Sequence, residues 1–183
     1  MKIYFLSSNE HKITEVKKIL SSDKIEVLAF SNKINEIQSE DMHAIARDKV
    51  IKAYKIIARP VFVEQTGLLI KKFGNLPGGL TQIFWDSLQA DKFSEFFAKD
   101  EGTATIAKTV LAYCDGRKVY TFEGEIKGDI INPPRGNRKF QWDCVFQPDG
   151  YDKTFAELGE KKNQISMRKI ALERLKEFLR EQE

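Results

Sequence analysis

The stretch VFVEQTGLLI, residues 61–70, carries most of the information about the fold and the site. Its hydrophobic residues alternate in the manner of a buried strand, which is expected to run into a turn at Thr66-Gly67. Two polar residues, Glu64 and Gln65, stand where the strand is expected to end, which indicates a functional site. An amide accepts no proton at neutral pH, so the role of Gln65 is the question that this stretch raises.

The elements on either side of this stretch predict an α/β fold. Strand and helix patterns alternate only over the first half of the chain, and two long strands then meet at the hairpin signal Asp115-Gly116. We therefore expect a mixed sheet, with a cleft between two lobes. Beside the stretch itself, the predicted strands are 2–6, 25–30, 103–113 and 118–131, and the predicted helices run through 13–20, 42–57, 90–97 and 166–179.

Composition predicts one globular domain, residues 1–183. Lys and Arg number 30 against 27 Asp and Glu, and this net charge of +3 is too weak to indicate a nucleic-acid partner. No apolar run approaches the ~20 residues of a membrane span, and the first residues have the pattern of a strand and not of a signal peptide. We interpret Cys114 and Cys144 as core residues in a reducing compartment, so a cytoplasmic protein is expected.

The loop SSNEHK, residues 7–12, joins a predicted strand to the start of a predicted helix. Its backbone N–H groups and the helix dipole favour an anion, and Lys12 adds positive charge. The alternative interpretation is that Ser8 or Asn9 only caps the helix.

An acidic loop precedes the helix predicted at 42–57. It contains Glu36, Glu40 and Asp41. Mg²⁺ binds one or two such carboxylates together with phosphate oxygens of a substrate. A solvated loop that binds no metal is the alternative.

Residues 132–163 form a turn-rich segment that is long enough to predict a functional loop. Within it, Phe140, Trp142 and Asp143 stand close together. Aromatic faces stack on a purine, a carboxylate accepts hydrogen bonds from its edge and cations hold phosphates, so this mixture predicts a nucleotide site. Alternatively, the two aromatic residues belong to the core. The neighbouring cations are Arg135, Arg138 and Lys139, and Lys162 and Arg168 follow around the start of the last helix.

Seven stretches, in order along the chain, resemble the house-cleaning nucleoside triphosphate pyrophosphatases, the Ham1-like family that includes inosine triphosphate pyrophosphatase. The resemblance implies an elongated central mixed β-sheet, with two α/β lobes flanking a deep nucleotide-binding cleft, and a homodimer. It also implies Mg²⁺-dependent hydrolysis of ITP, dITP and XTP to the monophosphate and pyrophosphate. The stretches are SSNEHK, EIQSED, VFVEQTGLLI, NLPGG, GDIINPPRG, FQWDCVFQPDGYDKTFAEL and KKNQISMR.

The resemblance also implies roles for individual residues. Those expected at the triphosphate are Ser7, Asn9, Lys12 and Lys49, and Glu36 is expected to bind the metal. The base is expected against Phe140, Trp142 and Asp143, with Lys162 and Arg168 at its 6-oxo edge. The substrate-binding positions also include Thr66 and Met167, which are next to Gln65 and Arg168 in the sequence. The catalytic positions are Lys12, Glu64 and Gln65.

Four positions depart from the family pattern. Gln65 stands in place of an aspartate that serves as metal ligand or general base, and Gln82 lies near a position that is usually cationic. Gln141 replaces a glycine and Met167 a histidine. Glu64 is not expected to take over from Gln65, because successive strand side chains point to opposite faces. Losing a positioned base costs about 10²–10⁴ in rate.

Three functions follow from this pattern. The first is an active pyrophosphatase in which Glu64, Glu40 or a metal-bound hydroxide covers for the missing aspartate. The second is an impaired relative that binds a purine nucleotide without efficient turnover. The third is nucleic-acid binding through the basic residues of the 132–163 segment, which is the weakest because that cluster is short.

Overall fold

The computed structural model describes residues 1–21, 24–98 and 103–182. No helix within these ranges is long and apolar enough to cross a membrane. The strands are β1 (Lys2–Leu6), β2 (Glu26–Phe30), β3 (Val61–Ile70), β4 (Pro77–Gly78), β5 (Thr103–Cys114), β6 (Val119–Ile130) and β7 (Phe146–Pro148). The helices are α1 (Glu10–Leu20), α2 (Met42–Ile57), α3 (Thr81–Phe97), α4 (Phe155–Leu158), α5 (Lys162–Ile165) and α6 (Met167–Glu181).

The strands form one open mixed sheet in the order β2-β1-β3-β5-β6-β7, with β4 paired to β3. Strand β1 runs parallel to both β2 and β3, because α1 and α2 return the chain across the sheet. The later strands are joined antiparallel. The predicted mixed α/β sheet is confirmed.

Strand β3 is longer than predicted. It pairs with β5 over its whole length, from Val61 opposite Cys114 to Ile70 opposite Thr105. The predicted turn at Thr66-Gly67 is therefore wrong, and Glu64 and Gln65 lie in the middle of a strand. Gly67 is needed there because a Cβ atom would lie 2.3 Å from the Gly78 carbonyl oxygen of β4.

The two faces of the sheet are covered by different helices. Side chains alternate along β3, so Phe62 packs toward α1 and α6, whereas Val61 and Val63 pack toward α2. A third cluster, around Phe93 and Phe146, joins α3 to the segment that contains β7 and α4. This third cluster builds the second lobe beside the end of the sheet.

Helix α3 starts earlier than predicted. The predicted helix at 90–97 is only its second half, because the chain kinks at Gln89, where φ is 56° and ψ is 177°. The first half begins at Thr81 after Leu80, which makes no side-chain capping hydrogen bond, so the usual start signal is missing. The other predicted strands and helices lie close to their observed bounds.

Candidate functional site

A cavity of about 270 Å³ lies at the end of β1 and beside the middle of β3. We call it the lysine pocket. Asn9 caps α1, because its Oδ1 accepts a hydrogen bond from the Lys12 backbone N–H at 3.1 Å. Asn9 therefore caps the helix, and the same loop also lines the pocket, so capping is not its only structural role. The lining includes Ser7, Asn9, Lys12, Lys33, Glu36, Lys49, Glu64 and Gln141.

The centre of the site is a buried charge network on Glu64. Arg168 donates from Nε to Glu64 Oε2 at 2.7 Å and from Nη2 to Oε1 at 3.0 Å. Lys12 Nζ lies 3.0 Å from Glu64 Oε1, and Thr66 Oγ1 donates to the same oxygen at 2.9 Å. The side chains of Glu64 and Arg168 are each 1% exposed. A paired geometry of this kind compensates for the loss of hydration.

The network keeps Glu64 ionised. Burial opposes ionisation, but the positive charges of Arg168 and Lys12 outweigh it and hold the pKa of Glu64 well below its usual value. Burial lowers the pKa of Lys12, and Glu64 opposes this shift. A carboxylate with so low a pKa is a weak proton acceptor, so Glu64 serves better as an anchor for cations than as a general base.

Glu64 and Gln65 point to opposite faces of β3, as predicted. Glu64 faces α1 and α6, whereas Gln65 donates from Nε2 to the Gly79 carbonyl oxygen at 3.3 Å. Gln65 is buried and is not part of the lining of the lysine pocket.

The carboxylates of the lysine pocket are Glu36 and Glu64, and Glu36 Oε1 lies 2.5 Å from Lys49 Nζ. Across residues 1–21, 24–98 and 103–182, no three His, Cys, Asp or Glu side chains gather as a metal site. Glu36 still fits Mg²⁺, which keeps several waters and takes further oxygens from a substrate phosphate, whereas the Glu64 oxygens are taken by Arg168, Lys12 and Thr66. Asp41 of the acidic loop instead caps α2, by accepting from the His43 and Ala44 N–H groups.

A second cavity, of about 480 Å³, lies between α1 and the segment around residue 140. We call it the aromatic pocket. Phe140 lines it, and Lys162 Nζ lies 4.2 Å from the centre of the Phe140 ring. Lys162 also donates to Asp143 Oδ2 at 2.6 Å. Burial raises the pKa of Asp143, although the charge of Lys162 opposes the shift.

The structure places the side chains of Trp142, Met167 and Arg168 outside the linings of both pockets, although the Arg168 guanidinium carbon lies 5.8 Å from the centre of the Phe140 ring. Trp142 is 3% exposed and Met167 1% exposed, and both pack in the core of the second lobe. For Trp142 this packing agrees with the alternative interpretation, in which it belongs to the core. The Arg168 guanidinium is equally buried and lines neither pocket. Thr66 also lines neither pocket, because it bonds to Glu64 and Thr109 inside the sheet.

Arg168 connects the two pockets. Besides Glu64 of the lysine pocket, it binds Glu15 Oε2, and Glu15 lines the aromatic pocket. Sequence reasoning missed Glu15, although it lies three residues after Lys12 and therefore on the same helix face. The aromatic pocket includes further residues that were not predicted, namely His11, Thr14, Lys18, Asn137 and Asn163.

Solved structures place this architecture in one class of α/β proteins. The Ham1 protein of Staphylococcus aureus superposes with a TM-score of 0.82 at 23% identity, over 100% of both chains. A HAM1 protein from Coxiella burnetii superposes with a TM-score of 0.83 at 23% identity, over 99% of both chains. The open mixed sheet with its flanking helices therefore has the Ham1 fold.

Sequence comparison establishes the family. The model of the Ham1 family matches residues 3–178. The inosine triphosphate pyrophosphatase of Yarrowia lipolytica is 38% identical over 99% of this chain and 97% of its own length. The dITP/XTP pyrophosphatase of Saccharolobus solfataricus is 34% identical over 98% of this chain and 94% of its own length. The chain belongs to the Ham1 family.

The charge network predicts a specific response to Glu64→Gln. The variant leaves Arg168 buried with an incomplete set of counter-charges, so the free energy of unfolding at pH 7 should fall by about 3 kcal/mol or more. Because the folded pKa of Glu64 lies below the unfolded one, its stabilisation is present above about pH 4 and is lost as pH falls. The difference between the two proteins should therefore shrink in acid.

Urea unfolding between pH 7 and pH 3 measures both effects. The control is Glu26→Gln, which removes an exposed ion pair with Lys2 at 3.6 Å and should change stability by less than about 1 kcal/mol. Equal effects of the two substitutions would contradict the assigned role of Glu64.

Proposed function

We propose that this protein hydrolyses non-standard purine nucleoside triphosphates, namely ITP, dITP and XTP, to the monophosphate and pyrophosphate. Such a reaction removes these nucleotides from the cellular pool. The observation that carries the proposal is the pairing of a cationic pocket with an aromatic pocket, joined by Arg168 through Glu64 and Glu15. The activities for which two relatives are named, inosine triphosphate pyrophosphatase and dITP/XTP pyrophosphatase, support it.

The lysine pocket suits the triphosphate. Lys12, in the first turn of α1, and Lys49, on α2, both line it. At the amino-terminal end of α1, backbone N–H groups and the helix dipole favour anions. Glu36 would hold a divalent cation together with oxygens of the substrate phosphates, and we propose Mg²⁺ as that cation. When bound, the cation neutralises phosphate charge and polarises the phosphoryl oxygens. In the reaction, water adds to the α-phosphorus, the bond from that atom to the bridging oxygen breaks, pyrophosphate leaves and the proton lost by the water is released to solvent.

The aromatic pocket suits the base. Phe140 offers a ring face, and Lys162, held by Asp143, directs a hydrogen-bond donor into the same space. A 6-oxo group accepts from such donors, whereas the 6-amino group of adenine brings a donor where an acceptor is needed. This difference is our physical reason for expecting inosine and xanthosine nucleotides to be preferred over adenosine nucleotides.

A second candidate is a nucleotide binder with slow turnover. The observation in its favour is that Gln65 carries an amide and that Glu64 is held by Arg168 and Lys12. In that case the nucleotide binds in both pockets, but no side chain efficiently accepts the proton of the attacking water.

Other features of the proposal rest on the sequence. We treat residues 1–183 as one functional unit in the cytoplasm, and the family match over 3–178 is consistent with one unit. We also propose a two-fold homodimer. Phe96 is 45% exposed beside Phe73 and Phe97, and such an apolar surface suits a partner copy.

The direct test is release of pyrophosphate from ITP, XTP, dITP, GTP and ATP with Mg²⁺, beside binding of the same nucleotides. We expect kcat/KM for ITP and XTP to exceed that for ATP by about a hundredfold or more, and chelation of the metal to abolish turnover. Tight binding without turnover would favour the second candidate. Equal hydrolysis of ATP, or orthophosphate as the product, would contradict the proposal.

Phe140→Ala should weaken the binding of ITP by about fivefold to a hundredfold, because base stacking on an aromatic ring is worth about 1–3 kcal/mol. Calorimetric titration measures this effect. Trp142→Ala is the matched aromatic control. It should lower the unfolding temperature more than Phe140→Ala does, since Trp142 is a core residue. If the folded Phe140→Ala variant binds ITP with unchanged affinity, the base does not bind against Phe140.

Gln65→Asp should raise kcat for ITP by about tenfold or more, because a carboxylate adds the missing proton acceptor. Position 65 lies on the face of β3 opposite to Glu64, where Gln65 bonds to the Gly79 carbonyl oxygen outside the lining of the lysine pocket, so the role of a carboxylate there at the proposed cation rests on the family resemblance. Gln65→Asn is the control, since it shortens the side chain but keeps the amide. If kcat does not rise in Gln65→Asp, or rises equally in both variants, position 65 does not limit the reaction.

A further inference from the structure

The segment around residue 140 is tied to α3 by side-chain hydrogen bonds. Gln141 donates from Nε2 to Gln82 Oε1 at 2.5 Å, and Gln82 donates from Nε2 to Asp86 Oδ1 at 2.7 Å. We call these three residues the amide clamp. Gln82 and Asp86 lie on the exposed side of the first half of α3 and are four residues apart, the spacing at which helix side chains meet.

Gln141 has an unusual backbone. Its φ is 42°, in the left-handed region that residues other than glycine rarely adopt. Such a conformation costs free energy and persists only where surrounding contacts hold it. The hydrogen bond to Gln82 is a contact of this kind, because it fixes the side chain at the point where the backbone turns.

This turn divides the segment between the two pockets. Phe140 lines the aromatic pocket, and the next residue, Gln141, lines the lysine pocket together with Lys12 and Lys49. The backbone conformation of residue 141 therefore determines how the side chains of Phe140 and Gln141 are directed into their separate pockets. Gln82 lines neither pocket and acts on them only through Gln141.

We propose that Gln141 is a triphosphate-binding residue and that Gln82, braced by Asp86, is the residue that positions it. This inference rests on the proposed function and adds a contact to the same site. A primary amide has two N–H groups. Gln82 accepts one from Gln141, and the other is assigned to an oxygen of the bound triphosphate. The amide clamp thus adds an uncharged hydrogen-bond donor for the triphosphate to a pocket whose other donors are mainly lysines.

The test is a double-mutant cycle of Gln82→Ala, Gln141→Ala and the double variant. Two quantities are measured: the affinity for magnesium tripolyphosphate, which probes the lysine pocket without a base, and the kcat and KM of ITP hydrolysis. Each single variant should weaken tripolyphosphate binding by about threefold to tenfold, the size of one hydrogen bond. The double variant should bind no more weakly than Gln141→Ala alone, because Gln82 acts through Gln141.

The kinetic result should follow the binding result. KM for ITP should rise in all three variants while kcat changes by less than about threefold, since the clamp touches the substrate in ground state and transition state alike. The control is Gln182→Ala, which removes an amide at the carboxyl end of α6 and should leave tripolyphosphate affinity and KM unchanged.

Three outcomes would overturn the inference. Unchanged tripolyphosphate affinity in Gln141→Ala would show that Gln141 does not bind the triphosphate. Additive losses in the double variant would show that Gln82 does not act through Gln141. If the wild-type protein binds neither tripolyphosphate nor ITP, the proposed function fails together with this inference. If the wild-type protein binds and hydrolyses ITP but the losses of the two single variants add in the double variant, only the inference about the amide clamp is overturned.

Discussion

The buried ion pair between Glu64 and Arg168 is the interaction on which the arrangement of the site depends. It joins the middle of β3 to the first turn of α6 across 104 residues of sequence, and both side chains are 1% exposed. Two charges buried this deeply are tolerated only when their geometry satisfies both. Arg168 meets this condition with a two-point contact to Glu64 and a third contact to Glu15, while Lys12 completes the charge on the other side.

The position of α6 follows from the same constraint. Gly124 of β6 lets the helix approach the sheet, because a Cβ atom there would lie 2.0 Å from the Met167 carbonyl oxygen. Ser166 caps the helix by accepting from the Lys169 N–H. The helix start is thus held by a cap, a close backbone contact and an ion pair. Arg168 can therefore join the lysine pocket to the aromatic pocket without being part of the surface of either one.

This arrangement also limits the chemistry. A carboxylate that anchors two cations stays ionised, and its depressed pKa makes it a poor proton acceptor. Glu64 is therefore committed to holding Arg168 and Lys12 in place, and Gln65 on the opposite face supplies an amide. The site needs a buried carboxylate that holds the cations in place and also a proton acceptor for the attacking water. In this chain Glu64 meets the first need, whereas the amide of Gln65 does not meet the second.

Residue patterns alone were enough to predict the mixed α/β class, most element bounds and the opposite orientations of Glu64 and Gln65, and they offered capping of α1 as one of two roles for the loop at residues 7–12. These features depend on local rules: hydrophobic period, capping and the alternation of side chains along a strand. Local rules failed at Thr66-Gly67, where pairing with β5 and β4 keeps the chain extended, and at Thr81, where a helix begins without a side-chain cap. The packing of distant segments was needed to place Trp142 in the core of the second lobe and Arg168 between the pockets. Burial and ion pairing are set by segments far apart in the chain, and no local pattern reports which distant surface a side chain will meet.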